Sequence, residues 1–101
     1  MMMAHDSSRP PSRLDDALLA DVRVALRAYL RDSEDPSALQ ASLVQLATEA
    51  RARDILPEQL LVTLKELWNG LPEVRAMTDA SQQVRLLQRV VTLCIREYYG
   101  A

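Results

Sequence analysis

An all-α fold is predicted for this chain of 101 residues, and three observations predict it. The apolar content of 49% includes no Phe, and the chain carries two glycines, so intrinsic propensity favours helix along nearly its whole length. Apolar residues recur at spacings of three and four in four separate stretches. Between those stretches stand Pro36, Pro57, Gly70 and Pro72, the residues that start and stop helices. The length suits one domain with a real core, so the reading is a four-helix bundle or two packed helical hairpins over residues 13–101. Residues 1–12, rich in Pro, Ser and other polar residues after three methionines, read as a disordered tail with no secretory apolar segment.

The first helix is expected from about Arg13 to Arg31, with Ser12 as N-cap and Asp15 at the capping-box position. Its apolar face is Leu14, Leu18, Val22, Ala25, Leu26 and Tyr29, widened by Leu19 and Leu30. Asp35 followed by Pro36 starts the second helix, because a proline at the first helical position lacks only an amide hydrogen that would have no partner there. That helix runs to about Arg53 with a narrow stripe of Leu39, Leu43, Leu46 and Ala50; Ala47 stands beside the stripe and Val44 off it. The third begins at Pro57 and presents Leu60, Leu61, Leu64, Leu67 and Trp68. It is expected to stop at Gly70 in the left-handed conformation, with Leu71 making the contact that follows such a cap and Pro72 forbidding continuation. A short helical turn over Glu73–Met77 then leads to a fourth helix capped by Thr78 or Asp79 and ending near Gly100.

That fourth helix is the unusual one. At about 100° per residue, Val84, Leu87, Val91, Cys94, Ile95 and Tyr98 share a face, and Leu86, Val90 and Leu93 extend it to roughly two-thirds of the circle. Such a helix needs cover on several sides, from the rest of the chain or from a second protein. Its narrow polar side carries Arg85, Arg89 and Arg96 with Thr92, an arginine stripe suited to carboxylates or phosphates.

Catalytic, metal and cofactor readings find no support. His5, the one histidine, lies in the tail, where nothing holds a base or carboxylate against it. Cys94 falls on an apolar face and reads as a small hydrophobe. An EF-hand loop counted from Asp32 would put Ser37 at the glycine position and Leu43 at the bidentate glutamate, so the acidic cluster is read as a helix cap. A DNA-reading third helix would present one positive charge, Lys65, against Glu58 and Glu66, and the whole chain carries a formal net charge of -2. No stretch reaches the roughly 18 consecutive apolar residues of a membrane span.

The function expected is therefore a small, cytoplasmic, non-enzymatic module for protein–protein interaction, either an adaptor or a homodimer. Its contact residues would be Leu86, Val90, Leu93 and Tyr99 with Arg85, Arg89 and Arg96, and the Leu71–Met77 connection could join them. The alternative is a regulatory domain that binds nucleic acid or phosphate through the same arginine stripe.

Overall fold

A computed structural model describes residues 14–100, all of them helix or short connection. Five helices form an all-α globule: α1 (Asp16–Arg31), α2 (Ser37–Ala52), α3 (Pro57–Asn69), the single turn α4 (Pro72–Arg75) and α5 (Ala80–Tyr99). The tail expected over residues 1–12 and the Ser12 cap lie outside the described residues. Asp15, rather than filling a capping-box position, is itself the N-cap of α1: it sits in extended backbone and its carboxylate accepts from the Ala17 N–H at 3.3 Å.

Helix α2 begins one residue later than the Pro36 start expected. Pro36 is then the N-cap and offers no side-chain acceptor; Asp35, one residue before it, accepts from both the backbone N–H and the hydroxyl of Ser37, at 3.2 and 2.7 Å. At its far end α2 closes on a residue the sequence reading did not single out. Asp54 has φ 58°, the Ile55 N–H donates to the Ala50 carbonyl at 2.8 Å, and the Asp54 N–H donates to the Arg51 carbonyl at 3.2 Å. Those two bonds and the burial of both Ile55 and Ala50 make a complete left-handed helix stop.

Gly70, where that stop was expected, is right-handed (φ -84°, ψ -7°). Its N–H still donates to the Glu66 carbonyl as a helical residue would, and the chain turns only at Leu71, whose side chain is fully buried. The bend is thus made by an extended residue anchored in the core, so no positive φ is required. The turn that follows covers Pro72–Arg75 instead of Glu73–Met77, and both Leu71 and Val74 are core residues. At the start of α3, Leu56 has no side-chain acceptor, and the Gln59 amide oxygen reaches back to accept from the Leu56 N–H at 3.1 Å.

The core gathers Val22, Leu26 and Tyr29 of α1, Leu39, Leu43 and Leu46 of α2, Leu60, Leu64 and Trp68 of α3, and Leu86, Val90 and Cys94 of α5. Helix α1 packs on α2, α2 on α5, α5 on α3, and α3 on α1. Polar ties lock the ends of these pairs. The Arg51 guanidinium donates to the carbonyls of Glu97 and Tyr98, the Tyr98 hydroxyl donates to the Ile55 carbonyl at 2.6 Å, and Gln83 donates to the Val74 carbonyl at 2.9 Å. Arg27 and Glu73 pair at 2.9 Å between α1 and α4.

Helix α5 therefore meets the core with a different edge from the one its periodicity suggested. Leu86, Val90 and Cys94, four residues apart, point inward because α2 and α3 close on either side of that line. Val84, expected on the main face, is 56% exposed, and Val91 and Ile95 are only half covered.

Candidate binding groove

The seven residues of α5 expected to form a contact surface divide between inside and outside. Leu86 and Val90 are buried by this chain's own helices and are closed to a partner. The same holds for Leu71 and Val74 of the connection. Tyr99 is 69% exposed and stacks edge-on against Tyr98, ring centres 5.3 Å apart, at the far end of the helix. The other four, Arg85, Arg89, Leu93 and Arg96, come together along one wall of an open groove of about 470 Å³.

The opposite wall is the corner where α1 turns into α2, contributed by Tyr29, Ser33 and Pro36. Local hydrogen bonds hold that corner still. The Asp32 N–H donates back to the Ala28 carbonyl, the Glu34 N–H donates to the Asp32 carboxylate, and the Asp35 N–H donates to the Asp32 carbonyl. Asp35 is kept below the usual carboxylate range by the Ser37 hydroxyl and then by the Ser37 backbone N–H, so it stays ionised and both bonds stay formed.

Among the described residues, Arg85, Arg89 and Arg96 have no hydrogen bond and no carboxylate partner; the ion pairs join other arginines, Arg27 and Arg53. Their free fork-shaped donors stand over a surface made partly of Leu93, Pro36 and the Tyr29 ring. Tyr29 is only 2% exposed, yet it lines this groove and its hydroxyl bonds to no described residue. Sequence reasoning placed Tyr29 in the core, which is correct for its ring, but could not see its place on the groove. That place depends on α5 lying across the α1–α2 corner, more than fifty residues away along the chain.

A second groove, of about 490 Å³, opens along the seam of α2 and α5 and is lined by Gln40, Val44, Thr48 and Arg51 facing Leu93, Arg96, Glu97 and Gly100. Leu93 and Arg96 belong to both grooves. Pro36 at the start of α2 lies near Arg85 and Arg89, and Arg51 near its end bonds the last turn of α5, so the two helices run in the same direction.

Nucleophilic chemistry has no footing at Cys94, whose thiol burial pushes up to about 11, far from the thiolate at neutral pH. Among the described residues no group of three or more His, Cys, Asp and Glu side chains could hold a metal ion, and no helix is long and apolar enough to cross a membrane. Comparison with protein-family models, curated proteins and solved structures finds no match for this chain.

Proposed function

We propose that this chain is a small, non-enzymatic protein–protein interaction module of the cytoplasm, a four-helix bundle whose contact surface is the exposed side of α5. The observation that carries this reading is the set of three arginines without partners, Arg85, Arg89 and Arg96, beside exposed or half-buried apolar surface on one groove. Arginine beside apolar surface is the composition of interface hot spots. The contact is heterologous, since three arginines on one patch oppose the approach of the same patch from a second copy.

A nucleic-acid reading draws on the same arginines. Against it stands the formal net charge of -2, which gives no long-range attraction for a polyanion.

The test is affinity capture from the source cytosol by the native protein and by a charge-reversed R85E/R89E variant, both shown folded by circular dichroism. A defined protein retained by the native chain and lost by the variant supports the reading. Retention equal in both, or retention only of nucleic acid that salt removes, overturns it.

A further inference from the structure

Resting on the reading of the chain as an interaction module, we infer that the occupant of this surface is a single amphipathic helix of a partner protein, acidic along one edge. It would lie in the trough that the two grooves form together between α2 and α5. The two grooves adjoin at Leu93 and Arg96, which line both, and end to end they make the channel such a helix would follow. From Arg85 to Gly100 that channel follows fifteen residues of α5, about 22 Å at 1.5 Å per residue, which is the length of four helical turns.

Three features select a helix rather than an extended strand. The walls are themselves helices, whose backbone N–H and C=O groups are already bonded within α2 and α5, so a strand laid there would leave its own backbone unpaired, whereas a helix brings its hydrogen bonds with it. Arg85, Arg89 and Arg96 are spaced by four and seven residues, so they repeat along one side of the channel at the same intervals as carboxylates on one edge of a partner helix. Leu93, half-buried, and Val44, 43% exposed, offer apolar contact between the charged edge and the α2 wall.

Charge decides the sign of the partner. Arg85, Arg89 and Arg96 form no ion pair among the described residues, the Arg51 guanidinium that closes the far end is already bonded to two carbonyls of α5, and against these cations the residues lining the two grooves include a single carboxylate, Glu97. The Tyr29 hydroxyl, which bonds to no described residue, stands at the near end, where it can donate to a carboxylate or accept from an amide. The chain's own first thirteen residues are a poor occupant, because Arg9 and Arg13 outnumber Asp6 there.

The test uses a fluorescein-labelled sixteen-residue helical peptide with Glu at positions 1, 5 and 12 and Leu along the adjoining edge. It is titrated with the full chain and followed by anisotropy, beside a scrambled peptide of the same composition and a sixteen-nucleotide single strand. Saturable binding of the amphipathic peptide is expected, weakened at least about tenfold by R85A/R89A/R96A and by scrambling. V44D, which removes apolar contact and sets a like charge against the peptide at an exposed position outside the core cluster, is expected to weaken it similarly while the fold is kept. Failure of the amphipathic peptide to bind, equal binding of the scrambled one, or preference for the nucleotide strand overturns the inference. If the native chain still captures a protein through Arg85 and Arg89 while the peptide fails, the interaction module stands and its helical occupant does not. If capture also fails, both fall.

Discussion

Asp54 holds the one non-glycine positive φ among the described residues, and Gly70 is a glycine with none, so the two invite opposite substitutions. An alanine in the left-handed region brings its Cβ against a carbonyl at roughly 1–2 kcal/mol, a conformation that Asp tolerates better because its short carboxylate can bond locally. Asp54→Ala is therefore expected to destabilise the chain by about 1 kcal/mol in urea unfolding. At Gly70 an added Cβ would meet only the Glu66 and Leu67 carbonyl oxygens at 3.4 and 3.6 Å, ordinary contact distances. Gly70→Ala should stabilise by about 0.4–1 kcal/mol, mainly by removing conformers from the unfolded chain. A loss of stability in Gly70→Ala would show that the left-handed stop lies there after all. Sequence reading favoured Gly70 because glycine has the conformational freedom such a stop uses. What decided the matter was the placement of Ile55 and Leu71 in the core, which lets an Asp take the positive φ and lets a glycine go without it.

At the scale of the element, α5 carries apolar residues on two adjoining edges and buries one. Val90, fully buried, and Val84, 56% exposed, separate those edges. Val90→Asp places an unpaired charge in the core, and cooperative thermal unfolding by circular dichroism should disappear. Val84→Asp should stay within about 0.5 kcal/mol of the native chain. Equal effects of the two would mean that α5 is rotated about its axis from the position described. For α1, α2 and α3 the buried edge could be read from spacing, because each has one dominant apolar stripe with a single exposed valine off it, Val24, Val44 and Val62. For α5 periodicity marked a surplus but not its inner edge, since that edge is set by the two helices that flank it. The arginine stripe was legible for the same reason that the stripes of the other helices were: it lies on one side of one helix.

Across the whole molecule, a few long-range polar contacts tie together helices that are remote in sequence. The Arg27 guanidinium, bonded to Glu73, holds that carboxyl below its ordinary value, aided by the backbone and by the charges of Arg27 and Arg31. A carboxyl depressed on folding contributes stability that is fully present above its unfolded value, near 4.5, and is lost as pH falls through the lower folded one. The native chain should thus lose urea resistance on acidification below about pH 5, and Glu73→Gln should show a shallower loss over the same range together with lower stability at neutral pH. An unchanged slope in Glu73→Gln would show that the pair contributes nothing. Neither this pair nor the groove beyond its arginine wall could be read from the sequence, because each joins residues more than forty positions apart: the pair needs α4 set beside α1, and the groove needs α5 laid across the α1–α2 corner.

The parallel pairing of α2 with α5 also bears on how the protein is made. As the chain leaves the ribosome, α1 and α2 can form a hairpin early, but the inward side of α2 is covered only after α5 has been synthesised. Until then the side of α2 that packs on α5 is uncovered, a transient apolar exposure of the kind that favours aggregation. The arginine wall is translated after the corner it faces, so the groove between them exists only once α5 has docked.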